Sequence, residues 1–180
     1  MVVGKGDSSA ILKELEVKNL CQEAFAKEKL VNKKILAIIP DHSRTAPIDM
    51  MFRVVYEILA GQVSQLDFLV ALGTHPPMKM DAIYQRVGIT AQEHQENFTK
   101  ARFFNHHWHD PDHLRLAGTI PEDEIVAISG GLMREKVDVT INKMVYEYDV
   151  LMIIGPTFPH EVVGFSGGNK YLFPGIAGQE

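Results

Sequence analysis

Three short apolar runs constrain this chain more than anything else in it. Residues 34–39 read Lys34-Ile35-Leu36-Ala37-Ile38-Ile39, residues 66–72 read Leu66-Asp67-Phe68-Leu69-Val70-Ala71-Leu72, and residues 149–154 read Asp149-Val150-Leu151-Met152-Ile153-Ile154. Runs of this length, near-continuously apolar and rich in β-branched residues, suit strands buried on both faces of a parallel sheet. Between the first two, Pro47 opens a pattern of Met51, Val54, Val55, Ile58 and Leu59 at helical spacing, which Gly61 ends. Ser8-Ser9 is placed to cap an earlier helix through Leu12, Leu15, Leu20 and Phe25 toward Leu30. Residues 81–86 and 91–98 read as short helices and 101–105 as a third strand. Residues 125–128 and 137–141 are further strand candidates. Strand, loop and helix in alternation predict right-handed βαβ units. The expected fold is α/β, a Rossmann-like domain with a mainly parallel sheet flanked by helices.

A chain of 180 residues with 46% hydrophobic content suits one domain with a real core. Its formal net charge of -5 argues against a nucleic-acid binder. The single cysteine, Cys21, excludes an intramolecular disulfide framework and any Cys-x-x-Cys motif, and reads as a small packed side chain. No apolar run is long enough to span a bilayer, and residues 1–7 contain no signal-peptide core. A cytoplasmic protein that binds neither membrane nor nucleic acid is expected.

In open parallel sheets the ligand lies beyond the carboxyl ends of the strands. Three such ends carry chemistry here. Asp41-His42-Ser43-Arg44 offers a carboxylate, a hydroxyl and a guanidinium. Arg44 suits a substrate carboxylate through its planar fork. Asp41 fits either ribose hydroxyls or, in a plain solvated turn, a local Asx cap. Gly73-Thr74-His75 places an imidazole at the next strand end. His75 reads as a general base or as a loop histidine bonded to backbone. The third end is Phe158-Pro159-His160-Glu161-Val162-Val163-Gly164-Phe165-Ser166-Gly167-Gly168-Asn169-Lys170. Glycines let backbone N–H groups approach an anion. Lys170 after them can hold a phosphate or act as a nucleophilic amine. This is no P-loop: the Gly-Lys-Ser/Thr order is absent and Tyr171 follows the lysine. The chain stops ten residues after Lys170, which reads as a cut domain.

The stretch 105–113 holds four histidines and two aspartates, His106, His107, His109, His113, Asp110 and Asp112. Its spacing matches no defined metal site, so it is expected to be a surface loop, with one histidine helping to shape the pocket. A metal hydrolase using His106, His107 and His109 is the competing idea.

Together these segments resemble the N-terminal domain of the lactate racemase family, the nickel-pincer-nucleotide enzymes. The family's Asp-His-Thr-Arg-Pro is matched by Asp41-His42-Ser43-Arg44-Thr45, and its glycine-to-histidine turn by Gly73-Thr74-His75-Pro76. Its His-x-x-x-Gly-Phe-Ser-Gly-Gly-Arg-Lys is matched from His160 through Gly164-Phe165-Ser166-Gly167-Gly168-Asn169-Lys170, followed by Phe173-Pro174-Gly175-Ile176. Thr45, Pro76 and Asn169 depart from the pattern, the last two replacing arginines.

The resemblance implies a racemase or epimerase of 2-hydroxy acids, with residues 1–180 as its N-terminal cofactor-anchoring domain. It implies a nickel-pincer nucleotide, a pyridinium mononucleotide whose two sulfur-bearing groups hold the metal, attached covalently to Lys170. It assigns His75 and His160 as acid/base groups on opposite substrate faces and Asp41 to the cofactor. Arg44 goes to the substrate carboxylate, and Ser166, Gly167 and Gly168 lie near the cofactor phosphate. Hydride moves reversibly to the cofactor, through a bound 2-keto acid. The family's nickel-ligating histidine lies beyond the lysine, so no metal ligand is expected within residues 1–180. The chain alone is expected to lack cofactor and turnover. The implied partners are a small 2-hydroxy acid, a C-terminal domain and the enzymes that build the pincer nucleotide. A non-catalytic nucleotide-binding or regulatory domain with the same pocket is the alternative.

Overall fold

A computed structural model of the chain describes residues 2–9, 11–161 and 164–179. Helix α1 spans Glu14–Ala26, later than a cap at Ser8-Ser9 would place it. Ser9 instead bonds back to Asp7, and the Glu16 carboxylate accepts the Lys13 backbone N–H at 3.0 Å. A carboxylate within the first turn also suits the positive end of the helix dipole. Strand β1 (Lys34–Pro40) follows, then α2 (Ile48–Leu59) and β2 (Gln65–Ala71). Next come α3 (Met80–Arg86), α4 (Ala91–Asn97) and β3 (Ala101–Asn105). Thr90 caps α4, accepting the Glu93 N–H at 3.0 Å while the Glu93 carboxylate accepts the Thr90 N–H at 2.7 Å.

Strand β4 (Leu114–Ile120), helix α5 (Glu122–Ile128) and strand β5 (Val137–Asn142) form an excursion. Residues 125–128 are therefore helical, contrary to the strand expected from Ile125-Val126-Ala127-Ile128. Three acidic residues in its first turn and Pro121 just before it favour a helix start, and this local signal prevails. The 114–120 strand, unsuspected from the sequence, pairs antiparallel with β5. Its burial is slight, so the sequence there carries no apolar run. The chain returns as β6 (Val150–Ile153), then the hairpin strands β7 (Phe158–His160) and β8 (Gly164–Ser166).

The main sheet runs β3-β2-β1-β6, all parallel, as the alternating pattern predicts. Central β1 pairs Ile38 with Leu69 on one side and with Ile153 on the other. Alternate side chains go to opposite faces. Ile35, Ala37 and Ile39 join Phe68 and the α2 residues Ile48, Phe52, Val55 and Leu59 in the larger core. Phe52 sits at the centre of aromatic contacts, 5.0 Å from Phe68 and 5.1 Å from Phe98 between ring centroids. Each such fully buried side chain contributes about 2 kcal/mol. Leu36, Ile38 and Leu69 point the other way and are covered by Ile141, Tyr171 and Ile176. The segment after the Ser-Gly-Gly turn is thus a lid on the second sheet face. Asn142 N–H to Ile176 O at 2.9 Å and Gly178 N–H to Thr140 O at 3.0 Å tie it down. Among the described residues, no helix is long and apolar enough to cross a membrane.

Candidate functional site

The carboxyl ends of β1 and β2 and the loop before β7 converge, with the Ser-Gly-Gly turn, on one cleft of about 220 Å³. Its lining includes Asp41, Arg44, His75, Ser166, Gly167 and Lys170. The topology compels this: β1 and β2 are parallel neighbours, so their loops leave at the same sheet edge. The third contribution depends on close packing that only glycine allows. A Cβ on Gly167 would stand 1.9 Å from the Pro156 carbonyl oxygen, and its φ of +80° also disfavours any side chain. The Gly73 N–H, donated to the Gly175 carbonyl at 2.9 Å, joins the His75 loop to the lid.

Asp41 is only 3% exposed. Its Oδ1 accepts the Ser43 N–H at 3.1 Å and the Ser43 hydroxyl at 2.6 Å, and its Oδ2 stands 2.6 Å from His75 Nδ1. The Asx cap is therefore present, with a buried carboxylate at the head of a turn whose next four residues are exposed. His75 bonds to a carboxylate, neither to backbone nor to solvent alone. Burial raises the Asp41 pKa, but the hydrogen bonds from Ser43 and His75 and the imidazole's charge outweigh it and hold the carboxyl below its ordinary value. An ionised carboxylate at Nδ1 selects the tautomer with the proton on Nδ1 and leaves Nε2 as the basic lone pair.

Arg44 and Lys170 line the same cleft, and among the described residues neither side chain makes an ion pair. Ser166 contributes a hydroxyl, whose contact to Phe158 O is long at 3.4 Å. His160 lies on β7, 3.8 Å from the Glu161 carboxylate, and with Gly168 stands outside the cleft lining among the described residues. Of the 160–170 motif, residues 162 and 163 lie outside the described residues.

Two site residues escaped the sequence. Arg86, on α3, donates to Pro40 O at 3.3 Å, Ala46 O at 3.4 Å and Arg44 O at 2.9 Å, lashing the Asp41 loop from below. Nothing in its helical context signals that job. Tyr171, 7% exposed, lines the cleft beside Lys170. Its position directly after the motif lysine was the available signal.

The histidine-rich stretch corrects an expectation. His106 is fully buried, with Nε2 2.9 Å from Ala177 O and Nδ1 3.2 Å from Asn142 Nδ2. It buttresses the lid, not a surface loop. The His107 and His113 rings lie 4.6 Å apart, tilted by 44°, and His113 bonds Asp110 at 2.8 Å. Both His106 nitrogens are engaged, which removes it from the hydrolase set. Among the described residues no group of three His, Cys, Asp or Glu side chains is arranged to hold a metal ion. Cys21 is half-buried on α1, where desolvation pushes its thiol up, away from nucleophilic use.

Residues 5–180 match the family model of the lactate racemase N-terminal domain. A lactate racemase of Thermoanaerobacterium thermosaccharolyticum is 28% identical over 151 residues, 81% of this chain and 30% of the relative. The lactate racemase of Lactiplantibacillus plantarum is 28% identical over 145 residues, 79% of this chain and 30% of the relative. A crystal structure of a Thermotoga maritima protein superposes with a TM-score of 0.82 at 29% identity, over 94% of this chain and 39% of that one. The lactate racemase apoprotein from T. thermosaccharolyticum superposes with a TM-score of 0.61 at 28% identity, over 82% of this chain and 32% of that one. The chain thus spans about 30% of the length of the curated relatives it matches. It belongs to the lactate racemase N-terminal domain family.

Proposed function

We propose that this family member is the N-terminal, cofactor-anchoring part of a racemase or epimerase acting on a lactate-like 2-hydroxy acid. The observation that carries the reading is one cleft holding an Asp41–His75 pair, an uncommitted guanidinium and an uncommitted amine. The residues fit the nickel-pincer nucleotide in chemistry. Lys170 offers an amine for covalent attachment, Ser166 and Gly167 offer a small-residue turn to a phosphate, and the two cations suit an anionic ligand. Bound there, that group supplies a reversible hydride acceptor.

The chain's own residues do the rest. Arg44 holds the substrate carboxylate in a two-point grip, which fixes C2 while the remainder of the molecule turns. His75 takes the hydroxyl proton at Nε2, and Asp41 stabilises the imidazolium that forms. His160, on β7 and outside the lining of this cleft, is assigned to the opposite enantiomer as the second acid/base group on the strength of its place in the motif. Two bases on two faces are the minimum for a reaction run in both directions. The reading places the protein in the cytoplasm, with the rest of a longer racemase chain and the pincer-building enzymes as partners. Residues 1–180 alone neither turn over substrate nor hold nickel.

The test is intact mass of a full-length protein co-expressed with the pincer-nucleotide enzymes, beside its Lys170→Ala variant. A nickel-bearing nucleotide adduct on the parent alone is expected. No adduct on either protein, with a lactate racemase control loaded, would overturn the reading in favour of a non-catalytic nucleotide-binding domain.

A further inference from the structure

We propose that Tyr171 is a ligand-binding residue of this cleft, its phenolic hydroxyl donating a second hydrogen bond to the carboxylate that Arg44 grips. The inference rests on the 2-hydroxy-acid reading above. The ring packs in the cluster of Leu36, Ile38, Leu69, Ile141 and Ile176, and only 7% of the residue is exposed. Its hydroxyl stands against Gly155, where a Cβ would lie 2.0 Å from it. Position 155 is therefore kept empty for the phenol. Among the described residues the hydroxyl makes no hydrogen bond, while every fully buried side-chain nitrogen and oxygen has a partner. The hydroxyl thus keeps some accessible surface, and Tyr171 is among the residues that line the cleft.

A phenylalanine would fill the same apolar space without an unbonded hydroxyl. A donor at the accessible edge of a nine-tenths buried side chain, with no protein acceptor, is suited to an acceptor that arrives with a ligand. The surroundings set the ligand's charge. Arg44 and Arg86 both act on the phenol electrostatically, as does Asp41 with the opposite sign. Arg86 is committed to three carbonyls, and Asp41 to Ser43 and His75. Arg44 is the neighbouring cation still uncommitted, so the pair offers two donors from two chain segments to a small anion. A planar carboxylate accepts both at once.

The test labels the five tyrosines with 13C at Cζ and assigns Tyr171 by its absence in Tyr171→Phe. The chain is titrated with sodium L-lactate, sodium D-lactate and inorganic phosphate. Lactate is expected to move the Tyr171 signal, and Tyr171→Phe, checked for an unchanged amide fingerprint, is expected to bind lactate at least about 10-fold more weakly. Equal affinity in the variant overturns the inference. So does movement by phosphate but not by lactate, which would assign the hydroxyl to a phosphate group. So does no movement with either anion, because both residues already line the cleft in this chain. Cofactor attachment at Lys170 does not depend on the phenol. An adduct without a tyrosine effect overturns this inference alone, and a tyrosine effect without an adduct overturns only the cofactor reading.

Discussion

Asp41 Oδ2 and His75 Nδ1 meet at 2.6 Å across the carboxyl ends of neighbouring parallel strands, one group buried, the other with 55% of its side chain exposed. The carboxylate is held from behind by Ser43, so it presents one fixed oxygen to the ring. The exposed imidazole is oriented by a group that solvent barely reaches.

Asp41→Asn tests that orientation. An amide can offer a donor to Nδ1 and so favours the opposite tautomer, with Nε2 protonated and unable to accept. In the full-length, cofactor-loaded protein kcat is expected to fall about 10²–10⁴-fold. Cofactor mass on Lys170 should be retained, which separates an acid/base defect from a loading defect.

A second carboxylate sets the acid limit of the fold. Asp67, fully buried on β2, accepts from Arg102 at 3.0 and 2.6 Å, from Gln65 at 2.6 Å, and from the Tyr148 hydroxyl. Burial raises its pKa, and these bonds more than reverse that. Asp41 is depressed in the same way. Protons then bind the unfolded chain more readily, so stability is full above the unfolded carboxylate value of about 3.9 and is lost as pH falls below it. Urea midpoints at pH 7 and pH 3 should show this. Asp67→Ala, which removes the acceptor that Arg102, Gln65 and the Tyr148 hydroxyl share, is expected to cost about 2 kcal/mol at pH 7.

His106 works in the next pH range up. Burial lowers its pKa against the opposing bond to Ala177 O, and His107 and His113 add to the lowering. The neutral ring is the folded form. Its contribution is complete above the unfolded value of about 6.5 and declines as pH falls below it. Amide exchange at Gly178 and Ile176, on the lid it buttresses, should quicken between pH 7 and pH 5. In His106→Gln the same protons should exchange faster at pH 7 and show a flatter pH response.

The turn glycines separate steric from conformational demand. Gly167→Ala meets the Pro156 carbonyl at 1.9 Å as well as a φ of +80°. Gly168→Ala faces open space at a φ of +53°. Gly168→Ala is expected to cost about 1 kcal/mol. Gly167→Ala should cost clearly more and abolish the nucleotide adduct at Lys170, as read by thermal unfolding and intact mass.

The parallel core was legible because β1 and β2 carry apolar runs buried on both faces; β6 carries one too, but it lies at the sheet edge with Leu151 and Ile153 exposed, contrary to the burial expected of it. The excursion was not. Residues 114–120 pair with β5 while staying exposed, so their pattern lacks the burial that writes a strand into a sequence. Residues 125–128 are apolar enough for a strand, yet the acidic first turn of α5 makes them helical. His106 illustrates the same limit. Beside His107 and His109 it looks like one more polar loop residue, and only the distant Asn142 and Ala177 make it a core group.

The sequence by itself determined the parallel strands and their helices, the three loops bearing Asp41, His75 and Lys170, and the glycine turn between His160 and Lys170, because these are local patterns of polarity and backbone freedom. Only the tertiary structure decided that Asp41 serves His75, that Arg86 braces the loop beneath them, and that the Tyr171 hydroxyl packs against Gly155. Those contacts join residues far apart in the chain. They exist because parallel strands bring their carboxyl ends together and because Gly155 and Gly167 let the lid approach, and neither condition can be read from one segment alone.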